Sequence, residues 1–280
     1  MADLSAKSTL ADLPLVSALF ITYKRFHLLE RSVRAFRENT SYPNLEIVIA
    51  DDGSGAEIQE KIRSLPADVF AFLSEDLGLG ANNNNGIRHC SGKYVLMIQD
   101  DWICQGPSNY LHEAVSIMEH NPQVGIINFA GAKHAPDFSL RLQGSDEPCY
   151  LTPTPSMSQD GKRELSLYSD QPHLQSIECI EFVGPYRELP GIRSETFYEQ
   201  AWKNQTKYKT AVFPNWHERV FQCIGDPKES FSAAAFRRRA SVKLLPLAQW
   251  LKLNLKPVYK IARTGFYRLI DLLETMRIVE

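Results

Sequence analysis

The chain is predicted to be an α/β protein with a mostly parallel, doubly wound sheet, and three observations carry that expectation. Short apolar runs recur that read as strands buried on both faces, the kind found inside a parallel sheet. Segments with helical apolar spacing lie between them. Two of the runs end abruptly in paired carboxylates, at the strand ends where open α/β sheets bind their ligands.

Taken in order, Val16–Thr22 (VSALFIT) reads as the first strand, and residues 28–39 as a helix with Leu29, Val33 and Phe36 on its apolar face. Residues 45–54 (LEIVIADDGS) hold the second strand, in which Ile47, Val48, Ile49 and Ala50 are closed by Asp51 and Asp52 just before Gly53. A third strand, residues 69–73, leads into the loop 74–86 (SEDLGLGANNNNG). The fourth lies in residues 93–102 (KYVLMIQDDW), where Val95, Leu96, Met97 and Ile98 run into Asp100 and Asp101. The order is β-α-β-α-β-loop-α-β, and right-handed crossovers are the default for such a chain.

Two parallel strands with carboxylates at the same end make a cleft that one nucleotide can bridge. The hard oxygens of Asp100 and Asp101 suit Mg2+ or Mn2+ held against a substrate's phosphates. Either pair taken alone reads equally well as an acidic turn. Gly78 and Gly80 allow a close backbone approach to a ligand. Asn82, Asn83, Asn84 and Asn85, as a group, are expected to serve as turn residues or as a polar cap on a helix that begins near Ile87. Beyond the fourth strand, residues 106–125 read as a helix with Leu111, Val115 and Met118 at core spacing, and residues 124–129 as a strand. Residues 132–178 become irregular and rich in Pro, Ser and polar groups.

The motifs VSALFITYKR, ADDGS, DLGLGANNNNGI and QDDW, in this order and spacing, resemble the family 2 glycosyltransferases, which have the GT-A fold and use nucleotide-sugars. The resemblance runs through the first 105 residues. It implies a Rossmann-like mixed sheet flanked by helices, here with a C-terminal helical extension. It makes Asp101 the ligand of a divalent cation, Mn2+ or Mg2+, places Asp100 near the ribose or the metal, and puts Asp52 at the base. Thr22, Tyr23, Asp51, Gly78 and Asn84 complete the implied nucleotide-sugar site, Asn84 because it falls on the family's loop asparagine. Two departures stand out: Lys24 occupies a position where Asn is common, and Gln99 replaces the first carboxylate of the metal motif.

Two later segments are similar to family elements. Residues 180–202 (IEFVGPYRELPGIRSETFYEQAW) resemble the segment in which Gly-x-aromatic-x-Glu precedes a helix that presents an acidic residue to the acceptor. That match makes Glu195 the candidate catalytic base, ahead of Glu188 and Glu199; an attacking hydroxyl needs a carboxylate to take its proton. A glutamate near a helix N-terminus is also favoured by the helix dipole alone. Residues 215–226 (NWHERVFQCIGD) are similar to an F-x-H-I-G-x element that closes many such sites, with Cys223 in the histidine's place and His217 six residues earlier. Arg219 is a further possible phosphate partner.

Length and composition agree with a globular enzyme: 280 residues, 44% of them hydrophobic, can bury one large core or two small ones. The expected division is a catalytic domain over residues 14–232, with a nucleotide half at 14–105 and an acceptor half at 106–232, followed by a basic amphipathic helical tail at 233–280. From Arg237 onward there are ten Lys or Arg and three Asp or Glu, a net of +7, so the preceding residues carry −9 of the chain's −2. Such asymmetry, with leucines, Trp250, Phe266 and Tyr267 among the basic residues, suits peripheral contact with an anionic membrane; packing on the domain or in a homo-oligomer is the plainer reading. Nucleic acid is not expected as a partner. Five scattered cysteines without a CxxC fit a reducing cytosol, and neither a transmembrane run nor a signal-peptide pattern is seen.

The expected function is metal-dependent, inverting transfer of a sugar from a nucleotide-sugar donor to a glycan or lipid-linked acceptor, in surface polysaccharide or glycoconjugate synthesis. A nucleotidyltransferase would carry a glycine-rich phosphate loop after its first strand, and ITYKRFHLL has no glycine. The alternative is a non-catalytic relative that binds a sugar nucleotide or scaffolds a partner, motivated by Gln99 and Cys223.

Overall fold

All seven residues of the first strand, β1 (Val16–Thr22), are buried, because strands flank it on both edges and its alternating side chains feed two apolar layers. Val16, Ala18 and Phe20 join one layer, and Leu19 and Ile21 the other. The computed structural model describes residues 13–129, 140–151, 168, 171–188, 198–199, 201–202, 205, 207–216 and 219–225.

After β1 come α1 (Phe26–Asn39), β2 (Leu45–Asp51), α2 (Ala56–Arg63), β3 (Val69–Phe72), α3 (Leu79–Arg88) and β4 (Tyr94–Gln99). Then follow β5 (Trp102–Cys104), α4 (Tyr110–His120), β6 (Val124–Asn128), β7 (Leu140–Arg141), β8 (Pro148–Leu151), β9 (His173–Ser176), α5 (Ile177–Val183), β10 (Lys209–Val212) and β11 (Phe221–Cys223). The main sheet runs β3-β2-β1-β4-β9-β6-β10-β8-β7, and β11 pairs with β5 in a separate ribbon. β1 is parallel to both β2 and β4, so the ends of all three point the same way. β9 lies antiparallel between β4 and β6, which makes the sheet mixed.

Helix α1 buries Leu28, Leu29, Ser32, Val33 and Phe36, a stripe at helical spacing. Phe36 meets Phe20 edge to face with centroids 5.5 Å apart. Burying one such ring contributes roughly 1.5–3 kcal/mol. On the other face, α3 lies so close to the sheet that a Cβ at Gly86 would stand 2.6 Å from Leu19 Cδ1. That face also carries Val48, Ala50, Val95 and Met97, with Tyr186 and Tyr198 stacked at 4.1 Å.

The strand and helix order matches the expectation, with corrections at particular elements. The third helix begins at Leu79 rather than near Ile87, and the four asparagines lie buried inside it rather than capping it. The physical reason is that two of them bond strand carbonyls: Asn82 Nδ2 donates to Thr22 O at 3.2 Å and Ala50 O at 3.1 Å, and Asn85 Nδ2 to Ala71 O at 3.0 Å. The fourth helix is shorter than the predicted 106–125, occupying Tyr110–His120. Strand β5, directly after the carboxylate pair, was not anticipated. The tail at 233–280 lies outside the described residues.

Candidate active site

The chain leaves β1 through Thr22, Tyr23, Lys24 and Arg25, at the end of the strand that separates the two acidic strand ends. Lys24 has φ +59, the one non-glycine residue with positive φ among those described, and its N–H donates to Ser54 Oγ at 2.7 Å. Beyond this turn the Arg25 guanidinium faces the carboxylates that follow β4. Its Nε donates to Asp100 Oδ2 at 3.2 Å, its Nη1 to Asp101 Oδ2 at 3.1 Å, and its Nη2 pairs with Asp100 Oδ1. The Thr22 hydroxyl donates to Asp100 Oδ2 at 2.7 Å, so this residue orients the carboxylate.

Asp100 is fully buried, and loss of solvent pushes its carboxyl up to about 7, while the Arg25 charge and the Thr22 hydroxyl pull it down. Asp101 is partly exposed, and its Oδ1 has no hydrogen-bond partner among the described residues. The segment after β11 closes over it: Ile224 N–H donates to Asp101 O at 2.8 Å, and a Cβ at Gly225 would stand 2.6 Å from Asp101 Oδ2. Only a glycine allows that approach.

The donor set suits a divalent cation shared with a substrate. Adjacent carboxylates offer hard oxygens, one of them unpartnered. Among the described residues no group of three or more His, Cys, Asp or Glu side chains could hold an ion alone. The rest of the shell would come from phosphate oxygens and water, the usual arrangement for Mg2+.

On the other side of β1, Asp52 is buried; its Oδ1 accepts Leu77 N–H and its Oδ2 accepts Gly78 N–H, both at 3.0 Å. Burial raises its carboxyl to about 6, against those two donors and with help from nearby Asp76. Gly78, with φ +92, starts α3. The preceding Asp51 points the other way: its carboxylate accepts the Ser54 N–H at 2.9 Å, the Ser54 hydroxyl, and Gln59 Nε2 at 2.9 Å. It shapes the turn that presents Asp52. Tyr23 is half-buried, with the Lys24 ammonium 4.7 Å from its ring centre.

Asn84 is used on both sides of its amide. Nδ2 donates to Tyr186 O and to Glu188 Oε1, each at 2.8 Å, and Oδ1 accepts Tyr186 N–H at 2.9 Å. It therefore ties α3 to the segment 184–188. Glu188 is exposed and also lies 3.6 Å from Arg88. Glu195 and His217 lie outside the described residues; Tyr198, Glu199, Ala201 and Trp202, which follow Glu195, are helical. Arg219 is exposed and 3.6 Å from Glu147. Cys223 is exposed in β11, opposite Trp102.

The structure thus brings Thr22, Tyr23, Asp52, Gly78, Asp100 and Asp101 to one end of three adjacent strands. Sequence reasoning missed the roles of Arg25 and Gly225. The signal for Arg25 was a cation directly after a strand end that neighbours two acidic ones. For Gly225 it was the glycine of the closing element.

A mixed sheet with paired carboxylates over its strand ends is the architecture of the GT-A fold, and solved structures agree. The mannosyltransferase PcManGT from Pyrobaculum calidifontis, in complex with GDP-Man and Mn2+, superposes with TM-score 0.55 at 15% identity, over 83% of this chain and 62% of that one. S. aureus TarS in complex with UDP-GlcNAc gives 0.52 at 15% identity, over 82% and 66%. The model of glycosyl transferase family 2 matches residues 17–160, and the chain belongs to that family. Among named relatives, the GalNAc(5)-diNAcBac-PP-undecaprenol beta-1,3-glucosyltransferase of Campylobacter jejuni is 30% identical over 94 residues, 32% of this chain and 30% of that one. The chain therefore spans less than a third of that relative's length.

Proposed function

We propose that the protein transfers a sugar from a nucleotide-sugar to a hydroxyl of a glycan or lipid-linked acceptor, with inversion, in surface polysaccharide or glycoconjugate assembly. The observation that carries this reading is the placement of Asp52 and the Asp100–Asp101 pair on either side of the end of β1. Asp52 accepts from the base, Gly78 brings the backbone beside the donor, Thr22 and Tyr23 line the strand end, and Asp51 braces the turn. Asp101, with Asp100 beside it, holds Mn2+ or Mg2+, which when bound supplies positive charge for the departing diphosphate. Asn84 acts by holding the segment 184–188 in place, and Glu195 takes the acceptor's proton. Support from known proteins is of two kinds: a neighbour of the same fold was solved with GDP-Man and Mn2+, and the Campylobacter relative is named for a lipid-linked acceptor.

The division into a catalytic domain at 14–232 and a tail at 233–280 belongs to the same proposal. Among the described residues no helix is long and apolar enough to cross a membrane. The tail makes peripheral contact with anionic lipid, on the cytoplasmic face, through its excess of basic residues.

Titration calorimetry with UDP-, GDP-, dTDP- and CMP-sugars, with and without Mn2+, tests the reading. Mn2+-dependent binding of one nucleotide class, lost in Asp101→Ala, is expected. Binding of none of them would favour the non-catalytic alternative.

A further inference from the structure

Arg25 stands where a metal-dependent donor site would place its ion. One guanidinium spans both carboxylates, contacting Asp100 through Nε and Nη2 and Asp101 through Nη1. Asp100 has no exposed surface, so its ionised form depends on a cation held against it. The Arg25 side chain retains 17% exposure, which leaves it a way out toward solvent. Its backbone is anchored, since Arg25 O accepts Leu28 N–H at 3.0 Å and Leu29 N–H at 3.1 Å at the start of α1. Only the side chain is free to change partners. It also springs from the strand end that a diphosphate must cross to reach from Asp52 to Asp101. A planar guanidinium fork matches phosphate as well as carboxylate, which an ammonium does not.

We propose that Arg25 is the resident counter-cation of the Asp100–Asp101 pair and gates it. Without ligand it offsets one of the pair's two negative charges and competes with divalent cations. When a nucleoside diphosphate arrives, the guanidinium moves from carboxylate to phosphate, and the freed carboxylates take the metal. Metal and nucleotide binding thereby become linked, each strengthening the other by the same factor. The inference rests on the donor site proposed above, and it assigns Arg25 a positioning and gating role that the reaction scheme alone does not require.

The test reads metal binding without turnover. Free Mn2+ is followed by electron paramagnetic resonance while the full chain is titrated, first alone and then with UDP or GDP. Arg25→Gln is expected to bind Mn2+ alone about tenfold or more tightly than the parent, because two carboxylates lose their competing cation. The ratio of Mn2+ affinities with and without nucleotide should shrink in the same variant. Adding Asp101→Asn to Arg25→Gln should abolish the gain. Unchanged or weaker Mn2+ binding in Arg25→Gln overturns the proposal, as does a gain that survives Asp101→Asn.

If a thermal melt shows that Arg25→Gln does not fold, Arg25→Lys replaces it. A single ammonium keeps the charge but cannot fork across both carboxylates, so a smaller gain is expected and an unchanged affinity again overturns the idea. Failure of every nucleotide-sugar to bind would sink the proposed donor site instead, and the titration with Mn2+ alone still reports on Arg25.

Discussion

Lys24 occupies the left-handed region at φ +59, where Asn is several-fold enriched over most side chains. Lys24→Asn should relieve about 1 kcal/mol of left-handed cost, partly offset by about 0.5 kcal/mol from the lost ammonium–Tyr23 contact. A small net rise in unfolding free energy in urea is the expected result. At Asp52 the folded carboxyl lies at about 6, above the ordinary 3.8. Protonation therefore favours the folded state: the stabilisation is complete below about pH 4, is lost as pH rises through about 6, and stays level above that. Nucleotide affinity runs the other way, weakening below about pH 6 as the acceptor carboxylate protonates. Asp52→Asn should make both profiles shallower, the first in melts across pH, where the share of Asp100 remains, and the second in calorimetry. The strand-end rule made Asp52, Asp100 and Asp101 legible in the sequence. It could not separate Asp51 from Asp52, since which of two neighbours faces a ligand depends on the pleat and on the partners waiting on each side.

Among the elements, α3 was the least legible. Four consecutive asparagines are poor helix formers and read as a cap, yet the amides of Asn82 and Asn85 donate to carbonyls of β1, β2 and β3, Asn84 ties the helix to Tyr186, and these bonds overrule propensity. Asn82→Ala leaves Thr22 O and Ala50 O without that donor and should cost about 1–3 kcal/mol, read as a lowered denaturation midpoint. The ribbon of β5 and β11 makes a different demand. Gly225→Ala should press on the Asp101 carboxylate, weakening Mn2+-dependent nucleotide binding about tenfold while the melting temperature holds. β5 itself was hidden because three residues after an acidic turn carry no periodicity of their own, and its partner arrives more than a hundred residues later.

For the molecule as a whole, the parallel half from β1 to β4 was readable because β1, β2 and β4 carry continuous apolar runs buried on both faces, and β3 at the sheet edge is an apolar run as well. The second half was not, since β7 to β11 are two to four residues long and gain their identity only from pairing. Charge, by contrast, is visible along the whole sequence, and the +7 that begins at Arg237 sets the last expectation. Removing residues 240–280 should reduce co-sedimentation with anionic vesicles several-fold and leave nucleotide binding intact; undiminished co-sedimentation would rule the tail out as the lipid contact.

The antiparallel strand β9 has a consequence for biosynthesis. It is the piece that joins β4 to β6, but it is translated after both. A nascent chain that has assembled β1 through β4 offers an apolar strand, Tyr94–Gln99, with one bare edge for the several seconds the ribosome takes to reach Ser176. During that interval the edge invites pairing with another nascent chain or recognition by a chaperone. Slowing elongation between the codons for Gln99 and His173 would therefore be expected to lower the yield of soluble protein more than slowing it after Ser176.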